Sequence, residues 1–494
     1  MTTEHLPVLQ VVVPLMSAPL IVLVRRHGAA WAIATVVSWA AFAIAVGIAI
    51  EVAQSGPLSY AIGSWPPPWG IEYRADALTA FVLVLVSFIG AVAMPYAKVS
   101  IAAELPEEQE YLFYAMYCLC LTGLLGITIT GDVFNLFVFM EISSLSSYVL
   151  IALGRRRRAL QAAYQYLIMG TIGATFYVIG VGLLYLMTGT LNMADMAVRL
   201  GEVAEVRPLI AALAFITVGV GLKLALFPLH QWLPDAYTFA PSVVTAFLAA
   251  TATKVAVYVL IRFYFTVFGA TRLMSEVPVN EVLMVLSVIA IVSMSLVALF
   301  QDDLKRMLAY SSVAQIGYIL LGLSLANGSG LTAAVAHLFN HGITKGGLFL
   351  LVGILALRCG TTRLSDLSGI ASRMPLTAFG VLLAGLSLIG VPGTAGFITK
   401  WYLVRASLEH GSWWLAVVVV ASSLIAVGYV WRFVEAAYLG APGPDTPRAG
   451  EAPLWMMVPA GLLVVACLYF GIETSFNVGY VTEAVASLMR KGGG

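Results

Sequence analysis

Apolar residues run through this chain in blocks about twenty long, separated by short polar connections. A helix of about that length crosses the hydrocarbon core of a bilayer. Fourteen such blocks lie at about 7–24, 29–50, 77–97, 111–129, 132–153, 161–188, 208–232, 242–268, 280–300, 307–326, 332–357, 375–404, 412–438 and 453–472. Numbered as spans 1 to 14, they predict an all-α polytopic membrane protein of about 14 transmembrane helices.

Two spans carry interruptions. Span 7 reads GVGLKLALFPLHQWLPDAY, with Pro228 and Pro234 after Lys223. Span 12 reads GLSLIGVPGTAGFITKWYL, with Gly390, Pro392, Gly393 and Gly396 before Lys400. Proline removes a backbone donor and disrupts the helical ladder, and glycine relaxes the backbone. Irregular backbone at membrane depth is tolerated only where it is buried or lines a wet cavity. The two broken spans lie five apart, and a repeated unit of five helices must insert upside down the second time. Spans 4–8 and 9–13 therefore read as two inverted five-helix repeats, a pattern that points to a transport site near the midplane. The predicted organisation is spans 1–3 in 1–109, a first half-channel in 110–268, an inverted second half-channel in 269–440, and span 14 with a tail in 441–494.

Composition agrees with a membrane protein. Hydrophobic residues make up 61% of the chain, charged residues 10%, and mean hydropathy is +0.95. A soluble domain averages about 25% charge. The net charge of +1 gives no reason to expect nucleic acid as a partner. Span 1 lacks a charged leader region and a small-residue cleavage site, so it reads as a retained span. Cys118, Cys120, Cys359 and Cys467 do not have a metal-site spacing and read as thiols of an apolar core. No cysteine cluster suits an iron–sulfur centre, and no G-x-G-x-x-G follows a strand. No metal or cofactor is predicted.

Basic loops set the orientation. Arg25 and Arg26, Arg155 to Arg158, and Arg358, Arg363 and Arg373 fall on one side if the N-terminus is outside. That side is predicted to be cytoplasmic, in the cell membrane of a prokaryote, although the acidic loop KVSIAAELPEEQE shares it.

Charges at bilayer depth give the functional signal. Glu141, Lys223, Lys254, Lys345 and Lys400 all lie inside apolar spans. Each costs about 2.5–3.5 kcal/mol on insertion scales, and proton or ion movement is the usual reason to keep such groups. Glu141 on span 5 and Lys223 on span 7 belong to one repeat, and an ion pair between them would offset part of both costs. Such a pair could be a static tie or a switch that releases a proton when it opens. His337, His341 and Lys345 are four apart and stack along one helix face. Histidine changes charge between about pH 5 and 8, so this row suits a proton wire. A simple interfacial hydrogen bond is the competing reading for His337. Zinc would want a third histidine, cysteine or carboxylate. Lys254 on span 8 links the two groups in chain order. His230, Asp235, Asp302 and Asp303 lie near cytoplasmic ends, where they could feed protons in or serve as caps and loop hydrogen-bonders.

The stretches GDVFNLFVFMEISSLSSYVL, GLKLALFPLHQWLPDAY, TKVAVYVLIRF, DDLKRMLAYSSVAQIGY, HLFNHGITKGGLFL and GVPGTAGFITKWYL resemble the antiporter-like subunits of the complex I superfamily. The similarity is greatest to the D-type subunits of Mrp Na+/H+ antiporters. The resemblance implies a proton-translocating subunit with two inverted half-channels, working beside other membrane subunits. By position it places a key glutamate at Glu141, the broken-helix lysine at Lys223, a bridging lysine at Lys254 and a terminal lysine at Lys400. His337, His341 and Lys345 match the span-11 motif. Related subunits occur in NADH dehydrogenases and membrane-bound hydrogenases, so a redox-driven complex is the alternative. A lysine-rich axis repels cations, so protons are expected here and sodium, if any, elsewhere in the complex.

Overall fold

The computed structural model describes residues 3–269, 271, 273–441 and 449–492. Spans 1 to 6 are Leu6–Val24, His27–Ser55, Ala77–Glu104, Glu107–Ile129, Val133–Ala152 and Arg158–Thr188. Span 7 is Val206–Leu224 followed, after a break, by Trp232–Phe239. Spans 8 to 11 are Ser242–Val267, Val279–Leu299, Leu304–Ser324 and Gly328–Cys359. Span 12 consists of Pro375–Ile389 and Ala395–Glu409, and spans 13 and 14 are Trp413–Leu439 and Leu454–Ile472.

Thirteen described helices are each long and apolar enough to cross a membrane. The halves of span 12 have 15 residues each, about 22 Å at 1.5 Å per residue. Neither half is long enough to cross alone; the bent pair that would bring the count to fourteen joins Pro375–Ile389 to Leu364–Ser372, at 113°. Span 7 continues to Phe239, beyond its expected end, because Pro234 sits in the first turn of the second half. That position needs no backbone donor. The expected boundary at 440/441 adjoins residues 442–448, which lie outside the described residues.

Spans 3, 4, 8, 10 and 11 are buried along most of their length, whereas spans 1, 2, 6, 9, 13 and 14 expose much of theirs. Exposed Leu23, Val36, Val417, Leu424 and Val465 lie on those outer spans, an apolar surface suited to lipid. A large core cluster runs through both repeats, with a small second cluster among spans 9 to 13.

The repeats carry a shared signature at their edges. Asp132 caps span 5 and pairs in an antiparallel bridge with Asn192, in G-T-L-N-M-A-D. Asp303 caps span 10 and pairs in the same way with Arg363, in G-T-T-R-L-S-D. Val133 N donates to Leu191 O at 2.9 Å, and Leu304 N to Thr362 O at 2.8 Å, at equivalent positions. The first clasp lies on one face of the membrane and the second on the face that carries Arg155 to Arg158. The face with the arginines is called the arginine face below, and its opposite the far face. The far face also holds a hairpin of β1 (Leu58–Ala61) and β2 (Glu72–Ala75) and an amphipathic C-terminal helix, Val481–Gly492.

Candidate functional site

Lys223 ends the first half of span 7, where Ala225 turns left-handed at φ 62° and starts the break. Its ammonium is buried and donates to the Ser144 hydroxyl and, at 3.4 Å, to the Tyr148 hydroxyl, both on span 5. A cavity of about 30 Å³ lies beside it, lined by Ser143, Ser144, Tyr166 and Lys223 among others. That is room for about one water. The expected Glu141–Lys223 ion pair is not formed. Neither residue is in an ion pair among the described residues, and Glu141 Oε1 is buried without a hydrogen-bond partner. The reason is geometric: Ser144 and Tyr148 lie one and two turns further along span 5, and the amine meets them first. Gly170 on span 6 makes room for this, because a Cβ there would strike the Tyr148 hydroxyl and lie 3.3 Å from Lys223 Nζ.

Lys254 occupies the centre of span 8, which with span 10 is the most enclosed of the described spans. It is 1% exposed, and its ammonium folds back onto Ala249 O at 2.5 Å and Thr253 Oγ1 at 3.4 Å. On span 11 the rings of His337 and His341 stack with centroids 5.9 Å apart. His337 Nε2 is 2.8 Å from Gln315 Oε1 and its Nδ1 is 2.7 Å from Thr399 Oγ1. An amide oxygen only accepts, so the neutral ring assigned to this network carries its proton on Nε2 and accepts from Thr399. Both nitrogens of buried His341 lack hydrogen-bond partners among the described residues. Lys345, wholly buried, donates to Leu308 O at 2.9 Å and Ser311 Oγ at 2.5 Å. The predicted row of three on one face is therefore present, and span 10 supplies its outer partners.

Lys400 lies on the second half of span 12 and reaches back across the break. Its ammonium donates to Leu388 O at 3.2 Å, Ile389 O at 2.9 Å and Ser423 Oγ at 2.9 Å. The last carbonyls of a helix lack partners within it and carry its negative dipole end, so the lysine caps Pro375–Ile389. Gly390 turns the chain at φ 92°, and a Cβ there would lie 2.9 Å from Lys400 Cδ. The Tyr318 ring lies 4.8 Å from the ammonium.

The four residues expected as proton feeders or caps have partners or packing of their own. His230 sits in the break of span 7, buried and stacked on Phe227 at 5.3 Å. Asp235 pairs with Arg306 at 3.2 Å, and Asp302 with Arg432 at 2.7 Å. Asp303 caps span 10 and accepts from Thr362 Oγ1 at 2.6 Å. The polar partners Ser144, Tyr148, Ser311, Gln315 and Thr399 do not stand out by charge in the sequence. The signal for the first four is the polar runs SSLSSY in span 5 and YSSVAQ in span 10, set in apolar helices.

Comparison with known proteins places this geometry. The family described as "NADH:quinone oxidoreductase/Mrp antiporter, TM" matches residues 130–426. The N subunit of NADH-quinone oxidoreductase from Desulforudis audaxviator is 45% identical, over 98% of each chain. The D subunit of the Na(+)/H(+) antiporter from Bacillus subtilis is 27% identical, over 98% of this chain and 97% of its own. A chain of the Mrp complex from Dietzia sp. DQ12-45-1b superposes with a TM-score of 0.91 at 27% identity, covering 100% of both. A chain of the membrane-bound sulfane sulfur reductase, an archaeal respiratory membrane complex, gives 0.90 at 28%, covering 99% of both. A chain of respiratory complex I from Thermus thermophilus gives 0.75 at 25%, covering 100% of both.

Proposed function

Because the chain belongs to the NADH:quinone oxidoreductase/Mrp antiporter family of membrane proteins, we propose that it is the proton-translocating subunit of a multisubunit Na+/proton antiporter. One observation carries the reading. Lys223, Lys254, Lys345, Lys400, His337 and His341 are all buried across the two repeats, and none is ion-paired among the described residues. The partners of all but His341 are hydroxyls, an amide and backbone carbonyls. Neutral partners of this kind tolerate either charge state of the group they hold, which a proton relay requires.

In this reading residues 110–268 and 269–440 are two half-channels in series. Protons from the arginine face, taken as cytoplasmic, reach Lys223, whose charge is biased by nearby Glu141. Lys254 hands them to His341 and its neighbours, and Lys400 is the last carrier. Other membrane subunits complete the complex, and sodium crosses elsewhere, since a row of lysines repels it. The shape match to the Mrp complex and the 27–28% identical antiporter D subunits support this assignment. The 45% identical N subunit of NADH-quinone oxidoreductase supports a second one, the same relay in a redox-driven pump.

Inverted membrane vesicles from cells with and without this gene separate the two. Loss of sodium-induced dequenching of a pH-sensitive dye on deletion supports the antiporter. Loss of dye quenching driven by an electron donor supports the pump. If deletion changes neither, both readings fail.

A further inference from the structure

Span 8 carries a second row of polar groups at four-residue spacing, Lys254, Tyr258 and Arg262, leading from the protein centre towards the far face. Eight residues of helix separate its ends by about 12 Å. At Arg262 the helix widens into a π turn through Val267, a distortion common at functional sites. The Arg262 side chain is buried, and each of its three nitrogens donates a hydrogen bond. Nη1 donates to Asp76 Oδ2 at 2.8 Å, Nη2 to Asp76 Oδ1 and, at 2.8 Å, to Thr79 Oγ1, and Nε to the Tyr258 hydroxyl at 2.9 Å. Asp76 caps span 3 through Thr79 N at 3.0 Å. Tyr258 donates its one proton to Thr128 O at 2.8 Å, and Thr79 Oγ1 lies 2.9 Å from its oxygen.

A cavity of about 220 Å³ descends from the far face and ends on Asp76, Thr79, Tyr258 and Arg262, beneath Leu488 of the C-terminal helix. It has room for several waters at about 30 Å³ each. Water can thus reach the Asp76–Arg262 pair from the far side, two helical turns short of Lys254. We propose that the Asp76–Arg262 pair is a latch that closes the outer mouth of the first half-channel and prevents Lys254 from exchanging protons with the outside.

Three features favour a latch over a plain structural tie. The hydroxyl of Tyr258 has its proton committed to a carbonyl and its oxygen engaged by Arg262, so it cannot pass a proton outward. The guanidinium of Arg262 fills the path and does not release its protons in a protein, so it cannot relay one. The pair also stands where a serial relay needs a barrier, because protons reaching Lys254 would otherwise escape before Lys400. The inference therefore rests on the relay proposed above. Burial alone would push the Asp76 carboxyl up, but the charge and hydrogen bonds of Arg262 and the bonds from Thr79 hold it well below the usual range. The latch thus stays ionised at physiological pH.

The test is passive decay of an imposed pH gradient in vesicles containing the whole complex, without sodium or electron donor. Arg262→Gln and Asp76→Asn should each speed the decay several-fold. Adding Lys254→Ala to either should restore the wild-type rate, because the leak passes through that amine. Wild-type decay in the assembled single variants overturns the proposal, as does a leak that persists without Lys254. Should those variants fail to assemble, Asp76→Ser keeps a capping hydroxyl at the start of span 3 and removes the pair; faster decay supports the latch and an unchanged rate overturns it. Coupled transport in Lys254→Ala alone tests the relay separately: retained transport there sinks the relay, whatever the leak shows.

Discussion

At the scale of single residues, the buried amines are held by neutral groups while a carboxylate waits nearby. Lys223 contacts Ser144 and Tyr148, and Glu141 has an oxygen with no hydrogen-bond partner among the described residues. In the proposed relay the glutamate therefore acts on the lysine through its field and not through a direct ion pair. Glu141→Ala and Lys223→Ala should each reduce coupled transport at least ten-fold with the complex still assembled. Ser144→Ala should have a smaller effect, since Tyr148 remains as a partner. Sodium-induced dye dequenching, normalised to protein by blot, checks all three; near-normal transport in Glu141→Ala removes the glutamate from the relay.

The Asp76–Arg262 pair gives a residue-scale prediction with a definite sign. The Asp76 carboxyl is held below its ordinary value of about 3.9. A group whose folded value is depressed contributes stability above its unfolded value and loses it as pH falls through the folded one. Breaking a buried pair by removing one partner costs on the order of 3 kcal/mol. Asp76→Asn should therefore lower Tm by a constant amount between pH 8 and pH 5, and the gap should narrow only in stronger acid. Thermal melts of the detergent-solubilised complex check this. A gap that closes already at pH 6 would show that the pair is not what stabilises this corner.

At the scale of elements, the broken spans matter because they bring a lysine and a free helix end together. In span 7 the lysine is in the last turn before the break; in span 12 it lies beyond the break and folds back to cap the preceding half. The two lysines thus reach a half-helix terminus from opposite sides of their breaks. Gly390 is required for the second arrangement, since a left-handed backbone costs an ordinary residue roughly 1–2 kcal/mol and a Cβ would press on Lys400. Lys400→Ala should eliminate transport and Gly390→Ala should reduce it several-fold. If Gly390→Ala matches wild type in the dequenching assay, the cap geometry is not needed for proton passage. The run G-V-P-G-T-A-G marks this break in the sequence, but which carbonyls the lysine meets depends on how the two halves are tilted against span 13.

At the scale of the whole molecule, five buried spans form the interior and the remaining helices shield them from lipid. The clasps Asp132–Asn192 and Asp303–Arg363 tie equivalent corners of the two repeats on opposite membrane faces. Orientation is open to a direct check. A cysteine introduced near Arg156 should be protected from an impermeant thiol reagent in intact cells, and one near Gly56 should be labelled. The reverse pattern would exchange the inlet and outlet sides of both half-channels.

The sequence by itself determined the class of protein, the number of crossings, the two broken spans and the charged residues inside them. Those features follow from short-range physics. An apolar block of about twenty residues has few alternatives to a membrane helix, and a charge within it is conspicuous because its cost is large. The inverted repeat was visible for the same reason, through proline and glycine placed five spans apart. What only the tertiary structure decided was the partner of each charge. Lys223 turned to hydroxyls rather than to Glu141, Lys400 turned to the carbonyls of its own broken span, and Arg262 found Asp76 from another helix. The hairpin of β1 and β2, the C-terminal helix and the cavity it covers also emerged only from packing. Hydrogen bonds reach about 3 Å, so their pairing depends on helix rotation and tilt, which periodicity along one chain does not encode.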